Sequence, residues 1–590
     1  MAVHSKILKK HFDKLGFDNS FFDSYESETA DILQNFDEMC KMLHDICMGQ
    51  TEMTIYTDFD VDGIMSSIIA YAGFSELGFR VNLFKPIPAR GYGFRKEDVD
   101  NIIAEFPNTA VIFTGDVGIA CNDAIDYAHE KKLKVLVTDH HICTEICRAD
   151  ISVNPNQAGE TYSHNGICGA YIVYMLLEEY AKRYCSPSAQ ADIYRLQVFA
   201  GIATMSDVMP LLYENRQLVR NSISIARYFY NYELINDSIA PPVHSDNYSR
   251  AFVGLKKLLE YFCRKRKIKT QDDITEQFYS FYLVPFLNSC KRLNGNMAGI
   301  YDIFFSAYIY PFTGFDKMSC VMNGIDYVEI LSERRKLLTD EYFGRLVEEK
   351  ESGPSAYMDS EVYITDVLPG LCGLLATKFM ALSDLPTMVL TENSDGSFSG
   401  SGRCPDWIDI ANILNERGLA KCDGHKEAFG VWFADKNALD EYTVLFKSVV
   451  LSALSEAEFV DTYITVSNTN SFSCDFPADA ELIKEYLAEK KYFSPFGRAF
   501  PEPYFKFLID PDTVRAVMFG QTHQHIKLVT ETGMEILLFY MALDYEKLCY
   551  DYRDKKYVFV CYGKFCLDTY DDIEYDTINF LCNDIDVMEM

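Results

Sequence analysis

Acidic and histidine-containing motifs recur at the ends of predicted strands, and this recurrence constrains the fold most strongly. Between about residues 50 and 215, short β-rich runs alternate with helical periods. Such alternation predicts βαβ units and a parallel sheet, in which ligands bind at the carboxyl ends of the strands. Three motifs fall at such ends: "DFDVDG", "TGDVG" and "TDHH". The pattern therefore predicts a functional site at one edge of the sheet.

The residue types in these motifs favour hard divalent cations. Carboxylate oxygens and imidazole nitrogens suit Mn²⁺ or Mg²⁺. Two such ions ~4 Å apart are suited to in-line attack on phosphorus, and alternate aspartates can reach both ions. An isolated Asp-x-Asp is common on solvated loops, so the prediction depends on the three motifs converging. The candidate ligands are Asp60, Asp62, Asp116, His140 and His141, with Asp116 as a bridge between ions.

Composition sets limits on the class of protein. A chain of 590 residues predicts three or four domains. The net charge of −32 argues against a protein that coats nucleic acid through a basic surface. The eighteen cysteines form no Cys-x-x-Cys pair, and no signal-peptide core or long apolar run is present. We therefore expect a soluble cytoplasmic protein with reduced thiols and no membrane association.

The rest of the chain is predicted to be helical at first and then mixed. Residues from about 170 to 345 are mainly helical, and a long helix ending at Gly353 is typical of an interdomain spacer. One apolar stripe on this helix comprises Leu331, Leu338, Tyr342 and Leu346. A second α/β segment follows. Short β-like runs from about 505 to 580 predict a small antiparallel barrel or sandwich.

The motifs, taken in order, resemble those of a known family. "DFDVDG", "TGDVG", "VTDHH" and "GIATMSDVMPL" are similar to the ordered motifs of the DHH phosphoesterase superfamily. Within it, the chain resembles the RecJ-type single-strand-specific exonucleases. Further similar segments are "IPARGYGF", "NPNQ", "GICGAY", "VPFLNSCKRL", "SGSGRCPD", "DGHKEAFG", "SPFGRAFPEPYF" and "GQTHQHIKL". The resemblance extends from about residue 50 to 540.

The resemblance implies an α/β fold of several domains. We expect a parallel-sheet DHH domain with an N-terminal extension over 1–228, and a helical connector with the spacer helix over 229–353. A smaller α/β DHHA1 domain would follow over 354–455. A C-terminal β-rich, OB-like domain with an acidic tail would occupy 456–590.

The resemblance also implies roles for the site residues. A pair of Mn²⁺ or Mg²⁺ ions would be held by Asp60, Asp62, Asp116, His140 and Asp207. His141 would bind a metal ion or contact the scissile phosphate, and Asp139 would orient its neighbours. Asp58 is expected to support the site electrostatically and is an additional candidate ligand. Asp116, Asp139, His140 and His141 are the expected catalytic residues.

Candidate substrate contacts lie in other segments. Residues Ser399 to Arg403 are predicted to form a loop whose backbone N–H groups bind a phosphate, with Ser401 and Arg403 in contact. The resemblance adds Arg90, Arg292 and His425. The family's usual Gly-Gly-His is Asp423-Gly424-His425 here, which places a negative charge near the expected substrate path.

By resemblance, we expect a metal-dependent exonuclease that degrades single-stranded DNA from the 5′ end in DNA repair and recombination. A protein partner at an acidic surface is a further expectation. One alternative is a DHH-family phosphodiesterase for short oligonucleotides or cyclic dinucleotides. Another is a non-catalytic replication scaffold, although every ligand position here is filled. A manganese-dependent pyrophosphatase fits less well, because its opening histidine is absent.

Overall fold

The computed structural model divides the chain into two compact units. The larger comprises Asp31–Met209 and Asn221–Phe459, and the smaller comprises Met1–Ala30, Pro210–Arg220 and Val460–Met590. The structure describes residues 3–17, 21, 33–86, 93–143, 145–231, 246–293, 297–309, 314–353, 355–457, 462–469, 473–520, 523–570 and 573–589. No helix among these residues is long and apolar enough to cross a bilayer. All eighteen cysteines are free thiols.

A five-stranded parallel sheet forms the first half of the larger unit, which confirms the predicted α/β architecture. The strands follow the order β2-β1-β3-β4-β5. Their bounds are β1 (Glu52–Thr57), β2 (Arg80–Leu83), β3 (Val111–Gly115), β4 (Lys134–Thr138) and β5 (Ile151–Val153). The three central strands are almost wholly buried, as expected when helices cover both faces of a sheet.

The register aligns the carboxyl ends of the three central strands. Thr57 is paired with Gly115, and Gly115 with Thr138. The residues that follow these three ends are therefore neighbours across the sheet edge. One aspartate of each motif directly follows a strand end: Asp58 after β1, Asp116 after β3 and Asp139 after β4.

Within the described residues, seven helices accompany this sheet. Val61–Glu76 is buried over nearly its whole length and packs against Gly169–Tyr184 and Gln197–Ser206. A Cβ at Gly73 would lie 2.5 Å from a methyl group of Leu177, so glycine permits this close packing. The full set is Phe36–Met48, Val61–Glu76, Lys96–Glu105, Asn122–Glu130, Gly169–Tyr184, Pro187–Arg195 and Gln197–Ser206.

A helical region connects the two sheets of the larger unit. It consists of the helix Tyr213–Asn231 from Asn221 onward, since residues 213–220 belong to the smaller unit, and of the helices Asp246–Arg264, Ala298–Ile309 and Gly314–Ser352. Short helical segments lie between them at Gln271–Asp273, Glu276–Phe278, Tyr279–Leu283, Val284–Leu287 and Ser289–Arg292. On the last helix, Leu338, Tyr342 and Leu346 pack against the second α/β segment. The predicted spacer helix is therefore also part of a hydrophobic core.

The second sheet of the larger unit is mixed. Its order is β6-β7-β8-β10-β9, with β6 and β7 parallel and the other pairs antiparallel. The strands are β6 (Val362–Ile364), β7 (Thr387–Glu392), β8 (Phe398–Arg403), β9 (Lys421–His425) and β10 (Ala428–Phe433). The accompanying helices are Pro369–Ser383, Ile410–Glu416 and Lys436–Glu456.

The predicted phosphate-binding loop at Ser399 to Arg403 is wrong, because these residues form β8 at the centre of the second sheet. Both neighbouring strands pair with it, so its backbone N–H groups face sheet partners. A Cβ at Gly402 would lie 2.2 Å from the ring of Phe429, and one at Gly400 would lie 2.0 Å from the carbonyl oxygen of Val389. The glycines allow close packing within the sheet.

The smaller unit contains one eight-stranded sheet, in the order β12-β11-β13-β17-β18-β16-β15-β14. The predicted β-rich C-terminal region is confirmed. Three strand pairs are parallel, so the sheet is mixed where an antiparallel barrel or sandwich was expected. The strands are β11 (Ile464–Ser467), β12 (Phe476–Pro477), β13 (Phe505–Ile509), β14 (Val514–Phe519), β15 (His525–Thr530), β16 (Glu535–Leu538), β17 (Tyr557–Tyr570) and β18 (Ile573–Glu589).

The acidic C-terminal segment is part of this sheet. It forms β18, which pairs along most of its length with β17. The helices of the unit are Lys6–Leu15, Ala480–Lys490 and Ala542–Asp551. The fully buried guanidinium of Arg216 donates hydrogen bonds to the carbonyl oxygens of Phe493 and Pro495 and lies 4.0 Å from the ring centroid of Phe500. This contact attaches residues 210–220 to the smaller unit.

Candidate metal centre

The first acidic motif connects β1 to the helix Val61–Glu76. Asp58 directly follows the strand, and Asp60 is the N-cap residue, whose Oδ1 accepts a hydrogen bond from the backbone N–H of Gly63 at 3.0 Å. A Cβ at Gly63 would lie 2.2 Å from the carbonyl oxygen of Asp58, so the turn needs glycine at this position. Asp62 lies in the first helical turn and is fully buried.

Asp116 follows β3 in an unusual backbone conformation. Its φ is 61°, in the left-handed region that non-glycine residues seldom adopt. Its backbone N–H donates to the carbonyl oxygen of Thr138 at 3.0 Å, which holds the residue beside the end of β4. The strained conformation directs a buried carboxylate into the centre of the site.

The Asp-His-His motif follows β4, and Asp139 orients both histidines. Its carboxylate accepts hydrogen bonds from the backbone N–H groups of Ile119, His140 and His141, at 2.9, 2.7 and 3.1 Å, and lies 2.8 Å from Nδ1 of His141. Burial acts to raise the pKa of Asp139, but these hydrogen bonds outweigh it and lower that pKa. Burial acts to lower the pKa of His141, and the contact with Asp139 reverses this and raises it.

His140 lies among three carboxylates. Its Nε2 is 3.2 Å from Oδ1 of Asp116, 3.5 Å from Oδ2 of Asp207 and 3.7 Å from Oδ2 of Asp62. Asp207 ends the helix Gln197–Ser206, so the packing of that helix brings it to the sheet edge. Only the family resemblance had selected this residue, because its local sequence is ordinary.

Three overlapping groups of residues have the geometry of a metal site. Within each group, the candidate ligand atoms lie within 4.8 Å of one another. Asp116 and His140 each belong to two groups, as residues shared between adjacent ions would. The groups are Asp116–His140–His141, Asp62–His140–Asp207 and Asp58–Asp60–Asp116. The structure thus brings together every predicted ligand.

A helix N-terminus fixes the position of Asp62. Its two carboxylate oxygens accept hydrogen bonds from the backbone N–H groups of Gly169 and Ala170, at 2.7 and 2.8 Å. These residues begin the helix Gly169–Tyr184, where unpaired N–H groups favour a negative charge. A Cβ at Gly169 would lie 2.6 Å from that of Asp116, so only glycine fits here.

The carboxylates have perturbed pKa values. Burial, followed by repulsion from Asp60, raises the pKa of Asp58 and of Asp62 to about 6. Burial and neighbouring carboxylates raise the pKa of Asp116 and of Asp207 well above the ordinary value. Oδ1 of Asp116 is buried and accepts no hydrogen bond from the residues that the structure describes. A divalent cation would replace the protons and satisfy this oxygen, so the donor set fits Mn²⁺ or Mg²⁺.

Comparison with known proteins agrees with this geometry. The DHH family, N-terminal domain, matches residues 52–202, which include the three strand-end motifs. The chain contains a DHH domain. A curated relative named single-stranded-DNA-specific exonuclease RecJ, from Haemophilus influenzae, is 22% identical over 527 residues, covering 85% of this chain and 82% of the relative.

Solved structures share the fold of the DHH domain and of most of the chain. The crystal structure of RecJ from Thermus thermophilus in complex with Mn²⁺ has a TM-score of 0.70 and 18% identity, covering 99% of this chain and 76% of that chain. Its complex with Mg²⁺ has a TM-score of 0.64 and 16% identity, covering 98% and 74%. This likeness confirms the fold class.

Lys291 contacts the metal centre of the DHH domain, although the sequence did not single it out. Its Nζ lies 3.0 Å from Oδ2 of Asp60 and 3.6 Å from Oδ2 of Asp58. Burial acts to lower the pKa of Lys291, but these carboxylates outweigh it and raise that pKa. The neighbouring residue, Arg292, had been selected from its segment, and no local signal distinguished the lysine.

A cluster of three arginines lies next to this lysine in the fold. Burial, followed by the nearby guanidiniums of Arg335 and Arg403, lowers the pKa of Arg292 to about 10. Burial also lowers the pKa values of Arg335 and Arg403. An anion would relieve the repulsion that Arg335 and Arg403 exert on Arg292, so we call these three partly buried residues the arginine pocket.

The arginine pocket adjoins the N-terminus of the helix Pro369–Ser383. A Cβ at Gly370 would lie 2.2 Å from the carbonyl oxygen of Arg292, and one at Gly373 would lie 2.7 Å from Nη2 of Arg403. Helix N-termini favour phosphate groups, so the helix adds to the positive potential of the arginines. Arg335 was not predicted, because it lies in the charged run "SERRKL" of a long helix.

The structure gives the positions of only some of the other predicted substrate contacts. Ser401 lies on β8, two residues before Arg403. His425 ends β9, but its side chain is outside the described part of the structure. Arg90 lies outside the described residues. The roles of these three residues stay predictions.

Proposed function

We propose that this protein is a metal-dependent exonuclease that hydrolyses single-stranded DNA from its 5′ end and releases nucleotides. The proposal rests on one observation: two residues that are adjacent in the chain belong to two different sites, the metal centre and the arginine pocket. Lys291 contacts the metal centre, and the next residue, Arg292, belongs to the arginine pocket. A terminal phosphate in the pocket would therefore place a nearby phosphodiester at the metal centre.

The comparisons support this activity. The relative from Haemophilus influenzae is named for an exonuclease specific for single-stranded DNA, and it aligns over most of both chains. The similar RecJ structures were determined with Mn²⁺ and with Mg²⁺. We therefore propose a pair of Mn²⁺ or Mg²⁺ ions as the cofactor of this protein.

The ligands proposed for these ions are Asp60, Asp62, Asp116, His140 and Asp207, with Asp58 and His141 as additional candidates. When bound, divalent ions supply an activated hydroxide and stabilise charge on the phosphoryl oxygens. Asp116 belongs to two of the three groups, which suits a bridging carboxylate. Asp139 keeps Nδ1 of His141 in a hydrogen bond and favours the imidazolium form, which suits contact with a phosphate oxygen.

The arginine pocket is the proposed site for the 5′ phosphate. Arg403 donates a hydrogen bond from Nη1 to the carbonyl oxygen of Gly402 at 2.7 Å, which restrains its guanidinium. A restrained guanidinium loses little conformational entropy when it binds a phosphate oxygen. Ser401, on the same strand, is a further proposed contact.

A nuclease assay with labelled strands tests the proposal. Single-stranded DNA labelled at the 5′ or the 3′ end is incubated with and without Mn²⁺, beside RNA, duplex DNA and a dinucleotide. We expect Mn²⁺-dependent release of nucleotides from the 5′ end of the single strand. Efficient cleavage of the dinucleotide alone would instead favour the phosphodiesterase alternative.

A matched pair of variants links this activity to the metal centre. Asp116→Asn should reduce the Mn²⁺-dependent rate by ~100-fold or more, because it removes a bridging charge. Asp123→Asn changes an exposed aspartate of the same domain and should leave the rate unchanged. Full activity in Asp116→Asn would contradict the proposed site.

Two expectations about the surroundings of the protein stay predictions. One is a cytoplasmic location, and the other is a protein partner that binds an acidic surface. Affinity capture with the intact chain, repeated at high salt, tests the second, because contacts between charged surfaces weaken as salt screens them.

A further inference from the structure

Lys291 occupies part of the metal centre in the folded chain. Its ammonium lies 3.0 Å from Asp60 and 3.6 Å from Asp58, two of the three carboxylates in the Asp58–Asp60–Asp116 group. It also lies 5.3 Å from the ring centroid of Phe59, which favours a cation at this position. The lysine therefore has three neighbours that hold its charge inside one of the ligand groups.

An ammonium and a divalent ion cannot both be held closely by these two carboxylates. Mg²⁺ binds carboxylate oxygens at about 2.0–2.1 Å, and like charges only a few ångströms apart repel strongly at low dielectric. Binding of an ion to this group therefore requires Lys291 to withdraw. About a third of the lysine side chain is exposed (36%), so solvent is available to receive it.

In the described part of the chain, the Asp62–His140–Asp207 group forms no ion pair with this lysine, whose charge reaches Asp207 only over a longer distance. Among the residues that the structure describes, the ammonium of Lys291 is within 4.0 Å of Asp58 and Asp60, whereas Asp62 and Asp207 form no such ion pair with it. The Asp62–His140–Asp207 group is instead organised by the N–H groups of Gly169 and Ala170. The two groups thus differ in whether an internal cation must first be displaced.

We propose that Lys291 competes with a divalent ion for Asp58 and Asp60, so that the two ions of the centre bind with unequal affinity. The ion at Asp62–His140–Asp207 binds tightly, and the ion at Asp58–Asp60–Asp116 binds weakly. This inference rests on the proposed metal centre and adds a residue that sets the affinity of its second ion. The protein accordingly requires a higher metal concentration to fill both positions than its ligand set alone indicates.

A Mn²⁺ titration of the metal-free full-length protein, followed by electron paramagnetic resonance of the free ion, measures both affinities without any substrate. We expect two classes of site in the wild-type protein. Lys291→Met should tighten the weak class by ~10-fold or more, because a positive charge at contact distance is removed. Lys291→Arg keeps the charge and should keep the two classes apart.

Further variants make the result decisive. If Lys291→Met does not fold, Lys291→Gln is titrated in its place, because it also removes the charge. Asp207→Asn should weaken the tight class and leave the weak class in place. Equal affinities in the wild-type protein, or a weak class that does not change when the charge is removed, would overturn the role of Lys291. Loss of all Mn²⁺ binding in the wild-type protein would overturn both this inference and the metal centre itself.

Discussion

Three partly buried arginines of the larger unit lie close enough for the charges of two of them to act on the third. The pKa of Arg292 falls to about 10 through burial and through repulsion from Arg335 and Arg403. Arg292 and Arg403 were predicted as phosphate contacts, whereas Arg335 was not. In "SERRKL" nothing local separates Arg335 from Arg334, which is exposed in the structure. The two arginines differ only in the face of the long helix on which each of them lies.

Arg403→Ala should remove the preference for a 5′ phosphate. A hydrogen bond to a charged group is worth about 1.5–3 kcal/mol, so kcat/KM for a 5′-phosphorylated single strand should fall by ~10- to 100-fold. The value for a 5′-hydroxyl strand should change little. Steady-state kinetics with the two strands measure this difference.

The matched control for this prediction is Arg334→Ala. It removes one exposed positive charge from the same region of the chain and should preserve the preference for the phosphorylated strand. Equal loss with both strands in Arg403→Ala would show that the arginine supports the fold and does not recognise the terminal phosphate.

At the scale of elements, the helix Gly169–Tyr184 organises the metal centre through its first turn. Its N-terminal N–H groups hold Asp62, and its first residue packs against Asp116. The sequence predicted this helix and the three strand ends from periodicity and position. It did not predict that the helix N-terminus would meet the strand ends, because that contact depends on how the helices pack across the sheet.

Gly169→Ala should disrupt the site, because the new methyl group would lie 2.6 Å from Cβ of Asp116. Overpacking of this kind costs about 1–3 kcal/mol of stability, and displacement of Asp116 should weaken Mn²⁺ binding by ~10-fold or more. Thermal unfolding and Mn²⁺ titration measure the two effects.

Gly344→Ala provides the control for this substitution. No atom lies within 4 Å of the Cβ that it would add to the long helix. This variant should be stabilised by about 0.5–1 kcal/mol, as expected for alanine in a helix interior, with unchanged Mn²⁺ affinity. Unaltered metal binding in Gly169→Ala would contradict the close packing at Asp116.

For the whole molecule, the cluster of buried carboxylates makes the free energy of unfolding depend on pH. The folded-state pKa of Asp58 and of Asp62 is raised from 3.8 to about 6. Between these values the folded protein holds protons that the unfolded chain releases. The stability that these groups contribute to the metal-free protein is therefore present at low pH and is lost as pH rises through about 6.

Stabilisation by Mn²⁺ should consequently increase with pH. The ion replaces these protons, so the rise in Tm on adding Mn²⁺ should be larger at about pH 7.5 than at about pH 5. Thermal unfolding with and without the ion, at several pH values, measures this rise. Asp62→Asn should reduce the pH dependence, and a rise in Tm that is the same at all pH values would contradict the raised pKa values.

From the sequence alone we predicted the parallel sheet, the meeting of the three motifs at its aligned strand ends and the β-rich C-terminal region, and the structure contains all three. These depend on local periodicity and on the rule that parallel strands end at the same edge. The tertiary structure alone decided the positions of Lys291, Arg335 and Gly169, the conversion of a predicted loop into β8, and the grouping of residues 210–220 with the C-terminal sheet. Each of these depends on contacts between segments far apart in the chain, which no local pattern encodes.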